Sequence, residues 1–427
     1  MATQAGAKSS WNNGTGLGDT GILYTDRRNF YLDPQTTHEL YGAVTPFLTF
    51  SSRKQKRKKT PDPDFKMFEH RSKFYDMYCT VTGVTSALTV GTETSAFTLA
   101  NMVGGIQKGS VVDVWNSAKT VYKGQVIVTT YTSQTSVEVT PTYKSGTPSF
   151  ASGDYFFIVT DAQVEGSGSP DAFADDLEVA YNSAGIFKTP LEITGTLLNA
   201  SLRGYSKELA RIRMEKDKEH KMKKEKAFFF SRRIGGITTA PAHTVDASSS
   251  NYIRTTHGIV PSIEDYNSGS NVLSRQFADF NYDAMVDDMT TMFADVNERG
   301  IKYAWAGAGY LAFFSKLSQA GFLKDTNIYL NPKSTVTKFG FNVRELETPD
   351  GILKLVSSRM MTKTHGGLYT NSAVITDPES IQHVTYRASK YETAIQENDR
   401  DGIKDQYFSD EGLGITLPEL NFMHKFA

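Results

Sequence analysis

The chain is almost without cysteine: Cys79 stands alone among 427 residues, so no internal disulfide can form and nothing argues for secretion. Long apolar runs are missing too. Stretches such as Ala227–Phe230 and Tyr310–Phe314 fall far short of the roughly 20 residues that span a bilayer, so no transmembrane helix and no membrane partner is expected. Met1–Thr25 lacks the basic start and apolar centre of a signal peptide, so folding in a cytoplasm is expected. The eight histidines are scattered, with no HExxH pair and no His–carboxylate cluster, which argues against zinc. Nor is there an excess of either charge. With 46 basic against 47 acidic residues, the chain as a whole is not a general nucleic-acid binder. What remains, 39% hydrophobic and 22% charged, is the composition of an ordinary folded protein of two or three domains' length.

The neutrality is an average. Residues 1–233 carry 29 basic and 24 acidic side chains, whereas residues 234–427 carry 17 and 23, so the halves are oppositely charged. Residues 1–37 read as an extended arm, because Gly14, Gly16, Gly18 and Gly21 break any helix and few apolar residues could be buried. Residues 38–77 read as the first part of an extended loop: apolar Ala43–Phe50, then the cations Arg53, Lys54, Lys56, Arg57, Lys58 and Lys59, then a strand-like Phe65–His70. From 78 to 165 the composition turns to Thr, Val, Ser and Gly. Hairpin recurrence, KGSVVDVW at 108–115 and SGDYFFIV at 152–159, predicts a small all-β barrel-like module. Gly166–Pro170 is a linker by composition, followed by the acidic patch Asp171, Asp175, Asp176 and Glu178.

Ser206–Phe230 is the clearest helix, with Ser206 as its expected N-cap. Between Lys207 and Lys226, 14 of 20 residues are charged, which predicts a solvent-bridging helix laced with the ion pairs Arg211–Glu215, Arg213–Asp217, Glu219–Lys223 and Lys221–Glu225. Beyond Gly235-Gly236 the pattern is α/β: helices at Tyr282–Gly300 and Tyr310–Gly321, and strands at Ile301–Trp305, Asn327–Leu330, Phe341–Leu346, Ile352–Val356 and Ser372–Ile375. The tail, Ser380–Phe426, reads as strands around a turn-rich tip at Asn398–Gly402.

Catalytic chemistry finds little support. Gly16-x-Gly18-x-x-Gly21 satisfies a dinucleotide pattern but lies in the arm, without the strand and helix such a site needs. Gly307–Ala312 follows a strand and opens a helix, so a nucleotide-binding α/β enzyme built on it is one reading to test. Cys79 fits a small buried residue, and Asp287-Asp288 a solvated helix face. No catalytic, cofactor or metal residues are assigned. The Arg53–Lys59 run could bind phosphates, with Phe47, Phe50 and Phe65 as stacking groups. The preferred reading is that it meets an acidic patch on another copy, making Arg53, Lys54, Lys56, Arg57, Lys58, Lys59, Asp171, Asp175, Asp176 and Glu178 candidate inter-subunit contacts.

This order of parts resembles that of the Hong Kong 97-type major capsid proteins of tailed bacteriophages. The resemblance is carried by Thr45-Pro46-Phe47-Leu48, by AYNSAGIFKTPLEITGT at 180–196, by the charged helix through Arg233, by the Gly235-Gly236-Ile237 turn and by DGIKDQYFSDEGLGITLPELNFMHKF at 401–426. It implies an α+β capsid fold: an N-terminal arm (1–37), an extended loop (38–77, returning at 166–195) carrying the inserted β-rich module (78–165), a peripheral domain with the spine helix (196–239), an axial domain (240–375) and peripheral return strands (376–427). It further implies a structural subunit, not an enzyme, needing no cofactor, that builds hexamers and pentamers of an icosahedral shell around double-stranded DNA. Scaffold, portal, protease or decoration proteins would be further partners, with assembly in the host cytoplasm and a final place in the virion. An encapsulin-like compartment shell is the related alternative. No isopeptide crosslinking pair is recognisable, so no covalent chain-mail is implied.

Overall fold

Pro46 opens a helix instead of interrupting a loop. Its missing N–H is of no consequence in a first turn, and α1 (Pro46–Arg53) follows it. The computed structural model describes residues 45–53, 57–71, 77–84, 90, 95–103, 105–133, 135–144, 149–169, 176–199, 208–240, 243–246, 248, 251–280, 282–294, 300–319, 330–336, 342–348 and 350–426. The expected arm at 1–37, the GxGxxG within it and the N-cap Ser206 lie outside them. The chain divides into two units, Met1–Glu69 with Val179–Ala427, and His70–Glu178.

In the first unit, α1 corrects the extended-loop reading at its start. Phe47 and Phe50, three residues apart, share one helix face. The Phe47 ring lies 4.9 Å from that of Phe229 and 5.2 Å from that of Trp305, and Phe50 lies 4.6 Å from Tyr303. Phe65 is buried as well, so none of the three is free to stack on a base. After α1 come the short β1 (Lys58–Lys59) and β2 (Asp64–Glu69).

The second unit consists of β3 (Tyr78–Val84), β4 (Ser95–Val103), β5 (Ser110–Trp115), β6 (Tyr122–Ser133), β7 (Ser136–Lys144) and β8 (Tyr155–Asp161), closed into a barrel in the order β3-β4-β7-β6-β5-β8. Alternate residues point inward: Cys79 and Val81, Val112 and Val114, Val126 and Val128, and Val137 and Val139 form its core with Phe97 and Phe156. The two sequence echoes are β5 and β8, which pair antiparallel. Burial pushes the Cys79 thiol up to about 12, so it is an inert packing residue.

The first unit resumes with β9 (Glu178–Ser183), β10 (Gly185–Ile193), α2 (Gly195–Asn199), α3 (Glu208–Phe230), the small hairpin β11 (Thr244–Val245) and β12 (Tyr252–Ile253), α4 (Ile259–Asp265), β13 (Val272–Arg275), α5 (Tyr282–Phe293), β14 (Ile301–Ala306), α6 (Ala308–Gln319), β15 (Leu330–Val336), β16 (Asn342–Thr348), β17 (Gly351–Ser357), α7 (Arg359–Lys363), β18 (Ser372–Thr376), β19 (Ile381–Glu392), β20 (Ile403–Ile415) and β21 (Phe422–Phe426). A four-stranded sheet runs β1-β19-β20-β10, and a seven-stranded one β13-β21-β18-β14-β17-β16-β15. At the turn into β20, Gly402 has φ 143°, and a Cβ there would meet the Ile193 carbonyl at 2.4 Å, so only glycine lets β20 close against β10.

Two expectations change here. The tail does not return wholly to one sheet: β19 and β20 join the four-stranded sheet, but β21 lies between β13 and β18 in the seven-stranded one. Phe422, Met423, His424 and Phe426 are all buried, as a strand covered on both faces requires. Asp288 is not on a solvated face either. It is buried, accepting from the Arg275 guanidinium at 2.7 Å, with His424 Nε2 3.3 Å away; these partners outweigh burial and hold its carboxyl below the usual range.

Trp305 is the hub of the core, fully buried with its indole N–H on Thr376 Oγ1 at 2.9 Å. Phe47→Ala removes a ring packed between Trp305 and Phe229, and should destabilise the chain by about 3–5 kcal/mol. Denaturant unfolding followed by tryptophan fluorescence checks this.

Candidate assembly site

The position of the four-stranded sheet, whose edge strand β1 carries Lys58 and Lys59, depends on what packs against it. Here α3 fixes it. The helix has no apolar stripe along most of its length; the face turned to β20 carries Arg213, His220 and Lys224. Arg213 donates to Asp405 at 2.7 and 3.1 Å, His220 Nε2 lies 3.0 Å from Ser409 Oγ, and Lys224 Nζ lies 3.2 Å from Glu411. Asp405, Ser409 and Glu411 are odd-numbered residues of one strand and share a face. Eleven helical residues from 213 to 224 rise about 17 Å, and six strand residues from 405 to 411 span about 20 Å, so the rungs stay matched.

The buried groups of these rungs are satisfied. His220 Nδ1 meets Thr189 Oγ1 at 3.1 Å, and burial, reinforced by the Lys224 charge, lowers its pKa to about 4, so it is neutral. Burial alone would raise Glu411, but the hydrogen bond with His383 and the charge of Lys224 prevail and hold it at about 2. Lys224 also donates to Ser389 Oγ at 3.0 Å, and Ser389 Oγ donates to Glu411 at 3.0 Å, so the Glu411 carboxylate is held by three partners against the cost of its burial.

The outward face carries the expected pairs Arg211–Glu215 (3.0 Å) and Lys223–Glu219 (2.7 Å). Two others are corrected. Arg213 turns to Asp405 and away from Asp217, which pairs instead with Lys221 at 2.5 Å. Glu225 is fully buried, its Oε2 accepting the Leu48 N–H of α1 at 3.3 Å. The helix is therefore not merely solvent-bridging. Composition missed this because its buried face is as charged as its exposed one; the signal was the spacing of 213, 220 and 224 on one face.

The candidate contact residues divide. Arg57, Lys58 and Lys59 are exposed, with β1 as an edge strand parallel to β19. Lys54, Lys56, Asp171 and Asp175 lie outside the described residues, and of Arg53 only its place at the end of α1 is described. Asp176 is exposed. Glu178 is already engaged by the Arg71 guanidinium within its own unit.

The Gly307–Ala312 turn has the right secondary structure and the wrong contents. A Cβ at Gly307 would meet the Thr370 carbonyl at 2.3 Å, and one at Gly309 would meet Asn371 Oδ1 at 2.1 Å. The amides that would cradle phosphate are taken: those of Gly309 and Tyr310 donate to the Thr370 carbonyl at 3.1 and 3.2 Å, and that of Ala308 to Thr362 Oγ1 at 3.0 Å. The glycines admit a neighbouring backbone segment, and the nucleotide reading is set aside. Among the described residues no group of His, Cys, Asp and Glu could hold a metal ion, and no helix is long and apolar enough to cross a membrane.

The buried Glu225 carboxyl sets a pH dependence. Burial raises its pKa from 4.5 to about 8, against the lowering effect of the backbone N–H groups of Leu48 and Phe47. The native state then holds a proton that the unfolded chain releases, so stability falls as pH rises from about 4.5 to about 8. Glu225→Gln keeps an acceptor for Leu48 without the ionisation. It should match the native chain at the acid end of that window and exceed its stability by on the order of a few kcal/mol at the alkaline end, measured as unfolding midpoints across pH.

The sequence pattern of one protein family, described as SU10 major capsid protein, matches residues 45–419. No curated protein matches the chain. Among solved structures it is similar to the capsid of Myoviridae phage XM1 (8% identity over 94% of this chain and 98% of that one, TM-score 0.44). It is also similar to a structure of Mycobacterium phage Bobi (10% identity, 96% and 97%, TM-score 0.41). A third likeness is to the holo-SrpI encapsulin complex of Synechococcus elongatus (8% identity, 60% and 77%, TM-score 0.37).

Proposed function

The chain belongs to the SU10 major capsid protein family, and from that premise we propose that it self-assembles into hexamers and pentamers of an icosahedral shell enclosing double-stranded DNA. The family match, which runs through both units, carries this reading and agrees with the resemblance to tailed-phage capsid subunits of the Hong Kong 97-type fold. Its role is structural, with no catalytic step. The subunit joins the virion after assembly in a host cytoplasm, alongside scaffold, portal, protease or decoration proteins. The encapsulin-like alternative differs in cargo, an enzyme in place of a genome.

In this reading the exposed cations of β1 serve contacts between copies. Exposed ion pairs are individually worth only about 0–1 kcal/mol, but a closed symmetric shell repeats each of them many times, and opposite fields steer partners into register.

Negative-stain microscopy of the purified chain should show closed shells, and particles from infected cells should contain nuclease-protected DNA; a monomer or dimer at every salt concentration refutes the proposal. Replacing Lys56, Arg57, Lys58 and Lys59 with Gln should leave the subunit folded and impair the joining of capsomers. Normal assembly with loss of DNA alone would instead assign the run to phosphate contacts.

A further inference from the structure

We propose that the cationic edge segment of one subunit, β1 with the preceding Arg57, docks on the acidic tip of the β19–β20 hairpin, at Glu397 and Asp399, of a second copy. This rests on the capsid reading and names the partner of the basic run. The expected acidic patch fits that role less well, because Glu178 is already occupied by Arg71.

The cationic side is built as follows. β1 is the outermost strand of its sheet, held on one side by Lys58↔Val384 and Lys59↔Thr385 and by the Thr60 N–H on the Thr385 carbonyl at 3.1 Å. Its two lysines and the preceding Arg57 are exposed, and none of the three forms an ion pair among the described residues. Three unpaired positive charges on successive residues repel one another until an anion arrives.

The acidic side is a shaped projection. The Ile395 N–H donates to the Lys404 carbonyl at 2.8 Å, the Lys404 N–H to Gln396 Oε1 at 3.1 Å, and the Arg400 N–H to the Glu397 carbonyl at 3.1 Å. The one cation of the tip, Arg400, is turned back onto Glu192. Glu397 and Asp399 are left exposed and without an ion pair among the described residues. Most other carboxylates of this sheet and of α3 are engaged: Asp405 by Arg213, Asp410 by Arg387, Glu411 by Lys224, and Glu215, Asp217 and Glu219 within the helix.

The two patches are different parts of one sheet, so their contact is heterologous, the kind that closes a ring when repeated by rotation. A projecting hairpin end can also reach a strand edge without burying unpaired backbone on either side. The competing explanation is that lysines merely guard a bare sheet edge against pairing. Glutamates would guard it equally well, which separates the two ideas.

Three full-length variants form the test: Lys58→Glu with Lys59→Glu, Glu397→Lys with Asp399→Lys, and all four changes together. Each pair alone should keep the native circular dichroism and unfolding midpoint while lowering the yield of assembled particles at low salt about tenfold. The fourfold variant should recover most of the native yield, because every copy then carries both reversed charges. Normal assembly by either pair, or no recovery in the fourfold variant, overturns the proposal. As a second measurement, subunits carrying only Lys59→Cys are mixed with subunits carrying only Asp399→Cys and oxidised, Cys79 being fully buried. A disulfide-linked heterodimer is expected. Its absence, or preferential linkage to Asp283→Cys in the exposed first turn of α5, overturns the proposal while leaving the capsid reading intact. A native chain that forms no assembly at any salt overturns both.

Discussion

The subunit is organised by charges buried between one helix and one strand. Along α3 the rungs Arg213–Asp405, His220–Ser409 and Lys224–Glu411 take the place of an apolar stripe. Taking an ion out of water costs several kcal/mol even after relaxation, so such a seam persists only where its charges are answered. Here His383, Ser389, Tyr391 and the Ala394 N–H complete the shells of Glu411 and Asp405. An apolar seam tolerates sliding, whereas this one does not. A one-residue slip of β20 would point Asp405, Ser409 and Glu411 to the opposite face and leave Arg213 and Lys224 without counter-charges. What the seam contributes is position more than stability.

The same helix changes its chemistry at its end. Past Lys224 it buries Glu225 beneath the amides of α1, then sends Phe229 against Phe47, which in turn packs on Trp305 of β14. One helix thus grips the four-stranded sheet through charges and the seven-stranded sheet through rings. Phe228 joins the two regimes, its ring 5.4 Å from His383, which holds Glu411. Disturbing the seam therefore acts on the core through a short chain of contacts, and α1, whose C-terminus leads toward the basic edge strand, is tied to both.

Much of this was legible in the sequence, for identifiable reasons. The barrel could be read from Thr/Val alternation and recurring Gly turns, and α3 from an unbroken run of helix formers, because both signals are local. The family resemblance rested on segments such as 180–196 and 401–426 whose residues now prove to form the helix–sheet seam and its neighbours. The misses share a cause, since each depends on a partner distant in the chain. Asp288 looked solvated because Arg275 and His424 are not beside it in a helical pattern, and Arg213 was given Asp217 because Asp405 lies far along the chain. Phe47 and Phe50 looked available because the wall they meet is built from Trp305 and Phe229. Phe422–Phe426 reads as a peripheral strand by its place in the chain, whereas the burial of Phe422, Met423, His424 and Phe426 marks it as an interior one.

The opposite net charges of the two halves also take on a different meaning. As a sequence pattern they suggest complementarity between subunits. In the structure much of the asymmetry is used within one subunit: Arg213 and Lys224, from the basic half, meet Asp405 and Glu411, from the acidic half, and Arg232 meets Glu264 and Asp265. These pairs specify the fold before they could specify an assembly. Charge that has found a partner at close range leaves only a weak field beyond the pair. Among the described residues of the four-stranded sheet, the exposed charges without an ion pair include Lys58 and Lys59 on the edge strand, Lys390 on β19, and Glu397 and Asp399 at the hairpin tip. A near-neutral chain can therefore still be directional at its surface, because cancellation in the interior removes the bulk of the charge and, under the proposed docking, leaves both of its ends exposed.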